Sequence, residues 1–234
     1  MKRILLFAAF LLMMSCHGQN KPIGELPLDL ENFDFATRIS MLFPEKNKSK
    51  TYENAYELKG DELGSIMFQK DTTYVFSEGR RPLGYEYRQI NWSSDASLAV
   101  FRQYSFQKVN IATTTDGAIK VINAVAHEIT SEENNKLLKL LSLKYGTPKK
   151  LKGSWKENLE IFEWIKKDRI IRFVTVYDNE KGTLKIEIEP AKRSIAEGKK
   201  NPHLESYLFI INSALKNEVF GKLNTGDFVY LNNE

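Results

Sequence analysis

Apolar residues fall into three kinds of run along this chain. The first is unbroken. Ile4-Leu5-Leu6-Phe7-Ala8-Ala9-Phe10-Leu11-Leu12-Met13-Met14 is opened by Lys2 and Arg3 and closed by Ser15 and Cys16. Eleven apolar residues fall short of a bilayer core, which takes about 20 in helical form. With its positive start, the run reads as an export signal rather than a structural helix.

The second kind alternates or is short and bounded by turn residues. Ser65–Gln69, Thr72–Phe76, Gly84–Ile90 and Leu98–Phe106 read as strands, parted by Lys70-Asp71, Glu78-Gly79-Arg80-Arg81-Pro82 and Ser93-Ser94-Asp95. Lys108–Thr114 and Ala118–Ala126 flank Asp116-Gly117, a pair that suits a tight hairpin turn because both residues tolerate positive φ. Leu159–Lys166, Arg169–Tyr177 and Thr183–Glu189 follow as a three-stranded meander. In the last of these, Leu184, Ile186 and Ile188 alternate with Lys185, Glu187 and Glu189, which predicts one buried and one wet face.

The third kind recurs every three to four residues. Phe35, Ile39, Leu42 and Phe43, ended by Pro44, predict a short helix over 34–43. Thr130-Ser131-Glu132-Glu133 is a capping box, and Leu137, Leu138, Leu141 and Tyr145 form the apolar stripe behind it. Gly146 and Pro148 stop that helix. Asn201-Pro202 offers another helix start, followed by a stripe of Leu204, Tyr207, Leu208, Ile211, Ala214 and Leu215, stopped by Gly221. Asp227–Leu231 reads as a last short strand.

These elements predict an α+β fold: antiparallel sheets, each with a helix packed on one face, in an order compatible with a tandem arrangement, plus a C-terminal amphipathic helix. The expected segments are a signal peptide over 1–15, Cys16 and a flexible tether to residue 27, and an N-terminal half over 28–105. A helix-plus-meander half over 106–190 follows, then a basic loop, helix and strand over 191–234. His17 to Pro27 is rich in Gly, Pro and Asn, and its eleven residues could stretch to roughly 36 Å.

Composition adds little to this picture and charge removes something. With 42% apolar and 27% charged residues, the chain can build a proper core. The net charge of +4 falls to +2 once Lys2 and Arg3 leave, since 32 basic side chains then face 30 acidic ones. That balance argues against nucleic acid as a partner. A single cysteine excludes an internal disulfide.

The start of the chain resembles the signal of bacterial lipoproteins, of the kind found in Bacteroidetes. Ser15 is the small residue before the cysteine, and Met13 stands where the usual pattern has Leu or Val. The resemblance covers residues 1 to about 20. It implies cleavage before Cys16, acylation of Cys16, and anchoring to membrane lipid without a spanning helix. The lack of acidic residues directly after Cys16 favours the periplasmic face of the outer membrane. More loosely, Thr130 to Glu189, with Tyr145-Gly146-Thr147-Pro148 and Trp164 on a strand, resembles helix-plus-meander lipoproteins that assist outer-membrane assembly. Asp71-Thr72-Thr73 resembles a short O-glycosylation signal, with Thr72 as the acceptor.

Candidate chemistry is sparse. His17, His127 and His203 show no metal-ligand spacing, so no metal and no cofactor is expected. No Gly-rich phosphate loop and no nucleophile elbow is present, and no catalytic residue is singled out. Between Tyr52 and Phe106 lie 11 of the 27 aromatic residues. Tyr85 and Tyr87 share a strand face, with Arg80 and Arg81 in the adjoining turn and Trp92 beyond. These five are the candidate binding surface, since tyrosine and arginine give large contact area with polar ends; aromatic filling of a core is the competing reading. Lys192, Arg193, Lys199 and Lys200 form a basic loop, read as solvated or as attracted to anionic head groups. The expected function is therefore a non-enzymatic, lipid-anchored envelope protein that binds another envelope protein. An envelope hydrolase using carboxylate or serine chemistry, and a small-ligand carrier using the Tyr85–Tyr87 face, are the alternatives.

Overall fold

Strands dominate the computed structural model, which describes residues 21–61, 64–75, 79–90, 96–154, 159–178, 184–189, 192–197 and 203–233. In chain order they are β1 (Leu28–Asp29), a one-turn helix α1 (Ile39–Leu42), β2 (Ala55–Asp61), β3 (Gly64–Val75), β4 (Arg81–Gln89), β5 (Ala99–Phe101) and β6 (Tyr104–Phe106). There follow β7 (Lys108–Thr113), β8 (Ile119–Ile129), the helix α2 (Ser131–Tyr145), β9 (Lys149–Lys152), β10 (Glu160–Ile165) and β11 (Arg169–Asp178). The last are β12 (Leu184–Glu189), β13 (Lys192–Glu197) and β14 (His203–Asn212).

Nine strands form one antiparallel sheet in the order β2-β3-β4-β7-β8-β14-β11-β10-β9. β1, β5 and β6 make a small second sheet, and β12 pairs only with β13. The α+β expectation is thereby overturned: 49% of the residues are in strands and the fold is predominantly β. The two expected half-domain sheets are one continuous sheet, because β14 inserts between β8 and β11 and joins the two meanders edge to edge.

The expected C-terminal amphipathic helix is this same strand. Its proposed start, Asn201-Pro202, lies outside the described residues. Tyr207 to Ile211 is apolar at every position, and every one of these residues is buried. Such a run has no single stripe: Leu208 and Ile210 pack on one side of the sheet, Tyr207, Phe209 and Ile211 on the other. A strand covered on both faces loses its period of two, and its sequence then resembles a buried helix. The expected strand over 227–231 is a 3₁₀ turn, Gly226–Leu231. The helix expected over 34–43 shrinks to α1. β3 runs straight through the expected Lys70-Asp71 turn, and the expected 98–106 strand is the short hairpin β5–β6.

Local signals held where they were self-contained. Thr130 accepts from Glu133 N while the Glu133 carboxylate accepts from Thr130 N, closing the capping box. Gly117 takes φ 88° in the β7–β8 turn. Gly84 is required for a different reason: a Cβ there would lie 1.8 Å from the carbonyl oxygen of Thr113 on β7.

Each face of the large sheet has its own cover. On the first face lie the N-terminal segment (Ile23, Leu28, Leu30, Phe33, Leu42, Phe43), the small sheet, and the Leu137–Leu141–Tyr145 side of α2. Ile23, read as part of the tether, is buried, and its N–H donates to Leu42 O at 3.2 Å. The second face is covered by the chain after β14, through Val219, Leu223, Phe228 and Leu231.

Polar groups are buried chiefly under that second cover. Glu163 and Arg172 sit opposite each other on β10 and β11, with Arg172 Nε and Nη2 both 2.7 Å from Glu163 Oε2. Arg172 Nη1 also donates to Leu231 O, and its guanidinium lies 4.0 Å above the Phe220 ring. Asn110 Nδ2 donates to Asn123 Oδ1 (3.1 Å) and Asp227 Oδ2 (2.8 Å), and Lys108 pairs with Asp227 at 2.7 Å. Thr225 donates to Glu86 at 3.0 Å. Lys120, fully buried, donates to Leu83 O at 2.9 Å.

Candidate functional site

Of the five residues of the expected binding surface, four are described, and one of these, Tyr87, is not on the surface. Tyr87 is a core residue, 4% exposed and stacked on Phe43 with ring centroids 4.7 Å apart. Desolvation by that burial pushes its phenol well above the usual tyrosine range. Tyr85, half-buried on the same face, carries Lys70 Nζ 4.0 Å above its ring. Arg80 stands in the β3–β4 turn at φ 59°, its guanidinium 4.9 Å from the Tyr74 ring, and Arg81 is exposed at the start of β4. Trp92, Cys16, Lys199 and Lys200 lie outside the described residues. Thr72 is on β3, paired with Tyr85.

A different group is brought together by strand register. On β14, His203, Glu205 and Tyr207 alternate, so all three point to the second face of the sheet. The neighbouring β8 pairs Ala126 with Ser206 and Ile129 with Leu204. Two residues, His127 and Glu128, therefore stand opposite Glu205 alone, which is a β-bulge. Glu128 takes φ 50° there, and a bulge of this kind re-aims the adjacent side chain.

The result is a compact set of donor groups. One ligand-type atom from each of His127, His203 and Glu205 lies within 4.8 Å of the others. The two imidazole rings meet edge to face with centroids 5.6 Å apart. His127 Nδ1 is hydrogen-bonded to Glu205 Oε1, and Tyr207 Oη donates to Glu205 Oε2 at 2.6 Å. Desolvation by burial, then that hydrogen bond, holds the Tyr207 phenol protonated far above the ordinary tyrosine range. A second carboxylate, Glu128, approaches His127 Nε2 to 3.6 Å. Tyr207 is in turn packed on Tyr230 of the C-terminal cover at 4.5 Å, so the carboxylate is aimed from a rigid base. Alongside runs a cleft of about 320 Å³, lined by Glu128, Thr130, Ser131, Tyr177 and His203.

His127 and His203 are 76 positions apart in the sequence, and the expected helix start at residue 202 put His203 on the wrong element. The signal that could have joined them is the period-two reading of His203, Glu205 and Tyr207, with a hairpin strand ending in His127-Glu128.

A cleft of about 520 Å³ is lined by Asn32 to Phe35, Lys167 to Arg169, Asn212 and Ala214. Its one guanidinium is engaged: Arg169 donates to Glu31 O at 3.2 Å, Phe33 O at 2.8 Å and Asp168 at 2.7 Å. Arg169 there clamps the N-terminal cover to the sheet. Compared with known families, with curated proteins and with solved structures, the chain finds no match.

Proposed function

We propose that this chain is a lipid-anchored protein of the bacterial cell envelope, facing the periplasm from the outer membrane and acting by binding rather than by catalysis. The observation that carries this reading is Cys16, the one cysteine of the chain, placed behind Lys2-Arg3, eleven apolar residues and Ser15. Acylation of that thiol anchors a body without a spanning helix, at about 0.8 kcal/mol per buried methylene and with more than one chain needed for stable attachment. Among the described residues no helix is long and apolar enough to cross a membrane.

The buried position of Ile23 sharpens the geometry. Seven residue steps from Cys16 to Ile23 span at most about 25 Å, shorter than the full tether expected from composition. The body is thus held close to the lipid surface. A binding role is supported by the use of the polar groups under the second cover: Glu86, Asn110, Lys120, Glu163 and Arg172 each hold a strand or the C-terminal segment in place.

Exchange of Cys16→Ala is expected to move the protein out of the membrane fraction of fractionated cells. Mass spectrometry of the wild-type mature N-terminus should find acyl chains on Cys16. An unmodified thiol, or a variant that stays with the membrane as before, removes the basis of this reading.

A further inference from the structure

We infer that His127, His203 and Glu205 form a binding site for a divalent transition-metal ion of the zinc type, built at the bulge between β8 and β14. This goes beyond the envelope-binding role and rests on strand geometry rather than on Cys16.

Two imidazoles and one carboxylate are the donor set that borderline ions such as Zn²⁺ select, whereas Ca²⁺ and Mg²⁺ require oxygen donors. In a tetrahedral site with bonds of about 2.0–2.1 Å, neighbouring donor atoms lie roughly 3.3 Å apart. The donor atoms here already lie within 4.8 Å of one another, a gap on the scale of side-chain adjustment. The ion takes the place of the hydrogen bond between His127 Nδ1 and Glu205 Oε1.

Three further features fit a cation at this point. Tyr207 fixes the carboxylate through its second oxygen, the kind of outer hydrogen bond that orients a metal ligand. Glu128 adds a second negative charge beside His127, which lowers the energy of a cation between them. Finally, the three ligands sit on two hydrogen-bonded strands, so their spacing is set by the sheet. His127 is exposed while His203 and Glu205 are half-buried. An ion held here keeps one or more positions turned to solvent and to the neighbouring cleft, where a donor from water or from a bound partner completes its shell.

The test uses the full-length protein in detergent, stripped with a chelator and titrated with Zn²⁺ against a chromophoric competitor. One tight equivalent is expected. His127→Ala and His203→Ala should each abolish it, and Tyr207→Phe should weaken it by about tenfold, the lower end for loss of an outer-sphere contact. His17→Ala, a change in the N-terminal segment, should leave it untouched. Absence of a tight equivalent in the wild type, its survival in His203→Ala, or its loss in His17→Ala overturns the assignment. A readout on unsubstituted protein guards against misfolding of the variants: Cu²⁺ bound at one equivalent should show electron paramagnetic resonance splitting from two imidazole nitrogens. Splitting from one nitrogen or none also overturns it.

Discussion

The two faces of the nine-stranded sheet are covered in different ways. Under the N-terminal cover the contacts are largely apolar and aromatic: Phe43 meets Tyr56, Phe68 and Tyr87 at 5.4, 4.9 and 4.7 Å. Under the C-terminal cover apolar packing is interrupted by Glu86, Asn110, Lys120, Asn123, Glu163 and Arg172, all buried. Apolar contact is non-directional and tolerates small shifts of one element over another. A buried charge tolerates none, because every displaced partner leaves an unsatisfied group in a medium that cannot solvate it. The first cover is therefore held by area, and the second by position. The irregular 3₁₀ turns after β14 present few backbone hydrogen bonds to the sheet, and the Arg172–Leu231, Asn110–Asp227 and Glu86–Thr225 contacts give that segment its register.

The sharpest way to break this contrast is Glu163→Ala. It leaves the Arg172 guanidinium buried without its carboxylate and should cost about 3–5 kcal/mol in urea unfolding. Replacing both partners, Glu163→Leu with Arg172→Met, should recover most of that loss, since apolar side chains of similar volume need no counter-charge. Equal losses in the single and double variants would mean that the unpaired charge is not what costs stability, and that polar contacts no apolar pair can restore, such as Arg172 to Leu231 O, carry the loss.

Lys120 offers a smaller effect with a sign that pH reveals. Burial lowers its ammonium from the ordinary 10.5 to about 8, with Glu218 opposing the shift. Between those two values the unfolded chain keeps the proton that the folded chain has released, so stability rises with pH. From pH 7 to pH 10 this group should add about 2 kcal/mol, an increment absent in Lys120→Met. Above pH 10 the slope reverses, because the phenols of Tyr104 and Tyr145, both pushed up to about 12 by desolvation, stay protonated only in the folded chain. Urea unfolding of both proteins at the two pH values measures the difference.

The smallest effect belongs to the first face. Leu208→Met, a volume-conserving change in a fully buried residue, should cost less than about 1.5 kcal/mol in the same assay. A larger loss would show that the apolar cover is as position-bound as the polar one.

What the sequence disclosed follows the same division between local and distant causes. The α2 capping box, the Asp116-Gly117 turn and the β10–β11 pair depend on residues close together in the chain, and each was legible. β14 was not, because an all-apolar run erases the alternation that marks a strand. The middle of β3 misled for the opposite reason. Lys70 and Asp71 look like turn residues, yet Lys70 lies over Tyr85 and Asp71 pairs with Arg88 at 3.1 Å, both on β4. The histidine–carboxylate group was hidden for a third reason: its members meet only through the register of β8 with β14, and through a bulge that no turn signal announces.

The place of β14 also governs the order of assembly. Before residues 203–212 arrive, each half of the sheet ends in a bare border, on β8 and on β11, that could recruit any passing extended chain. Closure waits for the final strand to be threaded between them, a non-local pairing that makes folding slow. A chain delivered from its N-terminus onward stays open until β14 has emerged, and a fragment cut short before His203 would carry two sticky margins instead of one seam.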